Sequence, residues 1–490
     1  MLLYGWLERA VKEKGGTKAL IYRDTYLSWR GLMHRVKRRA TEFKTAGVRS
    51  GDLVGLMLGN VPDFVILSLA LSKLEAIPLP LDPTTSTREL EMLMSLAPLR
   101  AVITRPRGGD APLPDAPTKP GGATKNPPES RKRLQGTLLS CSVYTTEQRK
   151  LPRKKEERIA VVLVTGDSAG DPKPVERTCA NLQAEADQVC EALSLDGEDR
   201  VLLTVPLFQS FGFDVGMVSA LAAGATIYLE DEIAPSRIIK LVREQKVTLL
   251  PGGRPLFNQL SRLPANRPLA HKPARMLSLN GGLKSSALDT FKDKYGVGTL
   301  ACFHTTETST VSIDSKGRAP SSVGKPLGTT EVRVTNAKTG KPAGTGRKGI
   351  LWIRGPAVSP LAMVHRPAQE GSVPVGTLDD EGWYHSGDFA TVDRTGKITL
   401  QGREDDLVGI DGKRVALGEV EGCIEMYPNV SRAQARVITD PLGGPMVVAK
   451  VVVKAKSKKK IDPEAIIDHC ARNLAPYKVP RRVEIVAALS

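Results

Sequence analysis

Residues Ile159 to Val164 read Ile-Ala-Val-Val-Leu-Val, an apolar run with no polar interruption. A strand with one wet face alternates polar and apolar side chains, so an unbroken run of this kind belongs in a sheet covered on both faces. It ends at a loop rich in Gly and Ser, after which Leu182, Ala186, Val189 and Leu193 recur at the spacing of an amphipathic helix. The alternation continues down the chain. Strands are expected at Val201–Val205, Thr226–Leu229 and Val247–Leu250, with a helix from a Ser236 cap through Ile239 and Val242. Upstream, Ser28 to Ala46 puts Leu32, Val36 and Phe43 on one helical face, ahead of a strand at Leu53–Met57. Strands separated by helices imply parallel sheets, because a parallel return needs a crossover.

A chain of 490 residues is too long for one core, and 41% hydrophobic residues give ample surface to bury. Residues 105–158 change character: Pro, Gly, Lys and Arg dominate, and the first half cannot bury enough apolar surface to fold alone, so a loop or linker is expected. Residues 329–401 are turn-rich and strand-like, as in a distorted barrel. The expected organisation is a large N-terminal α/β domain (1–401) and a small α+β C-terminal domain (402–490) opened by Gly402.

The formal net charge of +17 raises the question of nucleic acid. The excess gathers in short tracts at Arg131–Arg133, Arg149–Lys150, Arg153–Lys155 and Lys454–Lys460, without interleaved aromatics. Base stacking needs aromatic platforms, which are 4% of the chain, so a solvated surface is the favoured reading and attraction of anionic small molecules a subtler one. The longest apolar run, Phe64–Leu71, is far short of the roughly 20 residues that span a bilayer, and the acidic residues Glu8 and Glu13 near the start do not suit a signal peptide. A cytoplasmic location is the resulting expectation. Six cysteines without a Cys-x-x-Cys pair imply reduced thiols, not a zinc site or a disulfide framework.

The densest signal lies late: Gly382-Trp383-Tyr384-His385-Ser386-Gly387-Asp388, then Asp393–Gly396, then Gly402-Arg403-Glu404-Asp405-Asp406. A carboxylate such as Asp388 can accept hydrogen bonds from vicinal ribose hydroxyls, and Arg403 can reach the same sugar with its rigid fork of donors. Between them, a turn at Asp393–Gly396 and an alternating Lys397–Gln401 place both at the ends of one extended element. In this order the pieces resemble the adenylate-forming superfamily of acyl-CoA synthetases, luciferases and adenylation domains. The resemblance extends to Val164–Val175 (VTGDSAGDPKPV), Pro206–Phe213 (PLFQSFGF), Gly281-Gly282-Leu283, Phe303-His304-Thr305-Thr306-Glu307, Ser322–Pro326 and Gly349–Pro356.

This resemblance implies a carboxylic acid, fatty in the first instance, attacking the α-phosphorus of Mg2+-bound ATP, followed by transfer to CoA or to the pantetheine of an acyl carrier protein. It implies Thr165, Ser168 and Lys173 at the β- and γ-phosphates, Thr306 at the α-phosphate and Glu307 at the magnesium. Gly281, Gly282, Leu283, Phe303, His304 and Thr305 would surround the nucleotide, Phe303 lying against adenine, with Asp388 and Arg403 on ribose. Gln209, Phe213 and His304 would line the acyl pocket, and Asp405 would be the hinge of the small domain. A homodimer is compatible with all of this.

Departures from the family pattern accompany the matches. Asp167 stands where the phosphate loop has glycine, Pro174 follows Lys173, Gln209 replaces a histidine and His304 a glycine, which suggests a shorter or narrower acyl cavity. Val408-Gly409 lacks a lysine common there, and the sequence given ends at Ser490, soon after Tyr477-Lys478-Val479-Pro480 and before the Gly-Lys loop that carries the family's adenylation lysine. Two readings follow: an acid-activating ligase, with adenylation expected to be weakened, or a degenerate homologue that binds acyl or adenylate ligands without turnover.

Overall fold

The structure is a computed structural model that describes residues 2–83, 85, 87–97, 99–105, 116–117, 125–126, 130–134, 139–144, 154–166, 172–264, 268–269, 275–283, 285–315, 317, 322–362, 375–403, 407–410, 413–440, 444–454, 461–474, 478–487 and 489. Two compact units are present. The first comprises Met1–Arg333, Trp352–His385 and Val392–Leu400; the second comprises Val334–Leu351, Ser386–Thr391 and Gln401–Ser490.

The first unit is built on a nine-stranded sheet in the order Lys325–Pro326, Ser309–Ile313, Thr299–Thr305, Arg275–Leu279, Leu249–Gly253, Arg200–Leu203, Thr226–Leu229, Lys18–Tyr22 and Thr25–Ser28. The strands from Thr299–Thr305 to Lys18–Tyr22 pair in parallel, and the outer pairings are antiparallel. This is the parallel sheet that the strand and helix alternation anticipated. A second sheet, Ile77–Leu81, Leu53–Met57, Ala101–Thr104, Ser140–Val143 and Ser130–Arg133, is parallel over its first three strands and antiparallel thereafter. Its last two strands fall inside the stretch expected as a linker. Leu139, Cys141 and Val143 are buried, a short apolar alternation hidden by the basic residues around it.

Helix Trp29–Thr45 starts at Ser28, whose hydroxyl accepts from Gly31 N at 3.1 Å, and buries Leu32, Val36 and Phe43 as the periodicity required. Helix Cys179–Leu193 opens on a reciprocal capping box between Thr178 and Asn181. Three boundaries differ from the sequence expectation, the first being the strand expected at Val201–Val205, which runs Arg200–Leu203. The helix at Ile239 runs Pro235–Glu244, with Ala234 rather than Ser236 at its cap, because Pro235 presets φ for the first helical position. The strand expected at Val247–Leu250 is shifted to Leu249–Gly253, where its register with Arg275–Leu279 is set.

Ile159–Gly166 is a buried strand, but it pairs antiparallel with Pro172–Thr178, so that Thr165 lies opposite Lys173. Both strands belong to a small sheet completed by Leu361–Ala362. Val161, Val162 and Leu163 are each fully buried, which explains the unbroken apolar run without a parallel neighbour.

In the second unit, Val430–Asp440, Gly444–Val453 and Arg482–Val486 form a three-stranded sheet covered by helices Leu417–Glu425 and Pro463–Asn473. Val420, Ile424, Val447, Val451, Ile466 and Val483 make its core. This unit also holds Val334–Leu351, Ser386–Thr391 and Gln401–Arg403. All six cysteines are free thiols. Among the described residues no helix is long and apolar enough to cross a membrane.

Candidate active site

Strands Thr299–Thr305 and Ser309–Ile313 are joined by the tight turn Thr306-Glu307-Thr308. Thr305 Oγ1 accepts from Thr308 N at 3.1 Å and lies 2.8 Å from Thr308 Oγ1, while Ser309 leaves the turn at φ 60°. A left-handed serine is costly unless its surroundings hold it. Here Arg177 holds it, donating to Ser309 Oγ from a fully buried guanidinium. The turn therefore presents Thr306 and Glu307 side by side, both half-buried.

Lys173 reaches this turn from the strand opposite Thr165, its Nζ 3.9 Å from Glu307 Oε1. Gly376 makes room for it: at φ 82° it tolerates a conformation that other residues resist, and a Cβ there would sit 2.6 Å from Lys173 Nζ. Thr165 is half-buried on its strand. The site thus places an ammonium, a carboxylate and a hydroxyl in one partly open region. Those are the groups that cradle a phosphate and a hard divalent cation.

Behind the turn lies a buried polar cluster that the sequence reading missed. Thr306 Oγ1 is 3.1 Å from Ser210 Oγ, which is 3.1 Å from His304 Nε2. His304 Nδ1 is 3.1 Å from Thr310 Oγ1, and that hydroxyl is 2.5 Å from Glu185 Oε1. Glu185 Oε2 accepts from Thr310 N at 3.1 Å and from Gln188 Nε2 at 2.8 Å. Arg177 Nη1 lies 3.4 Å from Asp214 Oδ2 and donates to Thr306 O at 3.2 Å, while Nη2 donates to Ala357 O at 3.1 Å. Asp214 sits in a π-helical stretch, Gly212–Val218, a wider turn than the α-helix. The signal that could have found the cluster is charge on apolar faces: Glu185 lies between Leu182 and Val189 on the buried helix stripe, and Asp214 between Phe213 and Val215.

Burial pushes the Asp214 and Glu185 carboxyls upward, Arg177 opposing it in both, and drives the His304 imidazole down to about 3, with Arg177 assisting. His304 is therefore neutral. Ligand-type atoms of Glu185, Asp214 and His304 lie within 4.8 Å of one another. The cation already in that cluster is the guanidinium of Arg177, which opposes a metal ion there and compensates the carboxylates instead.

In the second unit, Arg403 Nη1 donates to Asp388 Oδ2 at 3.2 Å, and Asp388 N donates to Ser386 Oγ at 3.0 Å. The two residues that the sequence placed at opposite ends of one extended element are thus brought together. Asp393 accepts from Thr395 N and Lys397 N, closing the expected turn between them.

The other sequence candidates divide. Gly281 and Gly282 are half-buried in the turn after Arg275–Leu279, Ser278 Oγ donating to Gly281 O at 2.7 Å, while Leu283 is buried. Gln209 is exposed and Thr305 half-buried. Phe303, expected against adenine, is 1% exposed and shows no open face. Phe213, expected in an acyl pocket, is fully buried in the core with its ring in edge contact with Phe64. His304, expected at the nucleotide and the acyl pocket, is also enclosed, and its ring serves the polar cluster. Ser168, Asp167 and the hinge candidate Asp405 lie outside the described residues.

The chain matches the AMP-binding enzyme family over residues 7–361 and the AMP-binding enzyme C-terminal domain over residues 419–490. It is 26% identical over 487 residues to Probable CoA ligase CCL5 of Humulus lupulus, covering 95% of this chain and 85% of that protein. It is 25% identical over 496 residues to the oxalate-CoA ligase of Arabidopsis thaliana, covering 99% and 94%. The O-succinylbenzoate coenzyme A synthetase (MenE) of Bacillus subtilis, solved in complex with ATP and magnesium ion, shares the fold with a TM-score of 0.77 at 21% identity, covering 99% of this chain and 96% of that one. With the first of these matches spanning well over half its length, the chain belongs to the AMP-binding enzyme family.

Proposed function

We propose that this protein is an ATP-dependent acid-thiol ligase. A carboxylate oxygen attacks the α-phosphorus of ATP, pyrophosphate leaves, and the resulting acyl-adenylate is opened by the sulfur of CoA or of a carrier-bound pantetheine, with AMP as leaving group. The observation that carries this reading is the convergence of Lys173, Thr306 and Glu307, with Lys173 Nζ 3.9 Å from Glu307 Oε1. Charge builds on phosphate oxygens as the acid attacks, and preorganised donors aimed at it supply the largest single catalytic effect. Glu307 offers the hard oxygen ligand that Mg2+ prefers, so the donor set fits that ion. Bound there, the ion would polarise the phosphate oxygens. Lys173 and Thr306 bind and orient the triphosphate; in the second unit, Asp388 and Arg403 offer the acceptor and donors that ribose hydroxyls require. The relatives named as CoA ligases support the choice of thiol.

The acid is a carboxylic acid, fatty in the first instance, and the exchange panel identifies its class. The test is pyrophosphate exchange into ATP by the purified chain against short, medium, long and aromatic acids. Exchange with one class, abolished in Glu307→Gln, is the expected result. No exchange with any acid, while ATP still raises the melting temperature, would overturn the reading in favour of a binding-only homologue.

A further inference from the structure

Thr306, Ser210, His304, Thr310 and Glu185 form one unbroken line of contacts, each between 2.5 and 3.1 Å. It leads from a half-buried hydroxyl at the phosphate-facing turn to a carboxylate sealed in the core. Each hydroxyl carries one proton, and so does a neutral imidazole. The direction of one hydrogen bond therefore fixes the direction of all the others.

We infer that Ser210, His304, Thr310 and Glu185 are positioning residues whose hydrogen-bond polarity decides whether the Thr306 hydroxyl points inward or out toward a ligand. With Glu185 ionised, its carboxylate must accept from Thr310. Then His304 Nδ1–H donates to Thr310, Ser210 donates to Nε2, and Thr306 donates inward to Ser210, showing a bound anion lone pairs rather than a proton. With a proton on Glu185 Oε1 every bond reverses: Glu185 donates to Thr310, Thr310 to Nδ1, Nε2–H to Ser210 and Ser210 to Thr306. The Thr306 hydroxyl is then free to donate to a phosphate oxygen. No bond to carbon or phosphorus changes; one proton is taken up at Glu185, and the imidazole exchanges tautomers.

Neutrality of His304 is what the line requires, and its burial beside Arg177 supplies it. The charged or titratable groups facing Glu185 from other elements are Arg177 on Pro172–Thr178, Asp214 on Gly212–Val218, and His304 and Cys302 on Thr299–Thr305. Gln188, on its own helix, and Thr310 N both donate to Oε2 and leave Oε1 as the oxygen that can carry the proton.

The ligand side of this inference rests on the proposed nucleotide reading, so the first test needs no ligand. In histidine-selectively 15N-labelled full chain followed from about pH 5 to about pH 10, His304 is expected to switch from the Nε2–H to the Nδ1–H tautomer in the wild type as Glu185 loses its proton. Glu185→Gln should hold it at Nε2–H throughout, because the amide nitrogen then donates permanently to Thr310. An identical tautomer in the two proteins at every pH would overturn the relay. The second test is calorimetric titration of the same proteins with ATP. Affinity in the wild type should weaken by up to about tenfold per pH unit above the Glu185 transition, with proton uptake in excess of the variants'. Glu185→Gln and Ser210→Ala should bind at least as tightly and lose that excess, and Ser210→Thr should restore it. Pure misfolding would instead weaken every variant. A tautomer change with no ATP binding in any protein would keep the relay and overturn the nucleotide reading; ATP binding with equal proton uptake in all of them would overturn the coupling to Thr306.

Discussion

Replacing Arg177 by methionine keeps much of the side-chain volume while removing the charge. In the folded protein Arg177 is fully buried and donates to Asp214, Ser309, Thr306 O and Ala357 O. Without it Asp214 and Glu185 face each other uncompensated, and two backbone carbonyls lose a charged donor. Breaking a buried pair by deleting one partner costs about 3–5 kcal/mol. The sign with pH follows from Asp214. Burial already holds its carboxyl above the ordinary value of 3.8, so from that value upward the folded state binds more protons and stability falls as pH rises. Removing Arg177 raises the folded value further and widens that window. The expected result, by circular dichroism melting of Arg177→Met against wild type, is a loss of about 3–5 kcal/mol near pH 8 and a smaller one near pH 5. The double variant with Asp214→Asn should recover a large part of the loss near pH 8. Equal losses at both pH values, or a loss under about 1 kcal/mol, would refute the assignment of Arg177 as the charge that holds this cluster together.

Gly376→Ala puts a methyl 2.6 Å from Lys173 Nζ at φ 82°. It should cost about 1–2 kcal/mol in a melting experiment and, by moving the lysine off Glu307, lower the exchange rate by about tenfold or more. Thr178→Ala dissolves the capping box of helix Cys179–Leu193 and should cost about 1 kcal/mol without changing the pH profile. Asp388→Ala removes one partner of an ion pair whose arginine side chain is 38% exposed, so the melting temperature should hardly move. On the proposal that Asp388 contacts ribose, the KM for ATP in the exchange assay should nevertheless rise by about tenfold with little change in kcat, because such a contact serves ground and transition state alike.

The parts of the fold legible in the sequence were those decided locally. The helix stripe of Leu182, Ala186, Val189 and Leu193, the helical face of Leu32, Val36 and Phe43 and the Asp393–Gly396 turn each depend on a short stretch of chain, and each is present. Partner choice was less legible. Nothing within Ile159–Val164 reveals that its neighbour is Pro172–Thr178 running the other way, since consecutive buried valines suit either direction. The strand Ser140–Val143 was masked by composition, because averages over a basic stretch hide four residues of alternation. At the site, Thr306-Glu307 and Lys173 were found in two separate motifs, and the structure brings Lys173 Nζ to 3.9 Å from Glu307 Oε1. The network behind them was legible only as charges on apolar faces at Glu185 and Asp214, and its pairing was not, for Arg177, Glu185, Asp214, His304 and Thr310 come from five segments. A buried charge is explained only by its partners.

The nine-stranded sheet also carries a temporal demand. Strand Lys18–Tyr22 sits between Thr226–Leu229 and the hairpin strand Thr25–Ser28, and Thr226 Oγ1 donates to Lys18 O across 208 residues of chain. A ribosome adding about 5–20 residues per second therefore releases Lys18–Tyr22 roughly 10–40 s before its partner strand exists. Through that interval Ala19 and Leu20, fully enclosed in the finished protein, have no sheet to join. The hairpin with Thr25–Ser28 and the helix Trp29–Thr45 that follows it are the cover available during synthesis. Conversely, a fragment that begins after Ser28 would leave Thr226–Leu229 as a bare hydrogen-bonding edge, a template for pairing with another chain. Expression from start sites downstream of Ser28 should accordingly yield aggregates, and Lys18–Tyr22 with Thr25–Ser28 acts as a built-in edge guard for a sheet assembled much later.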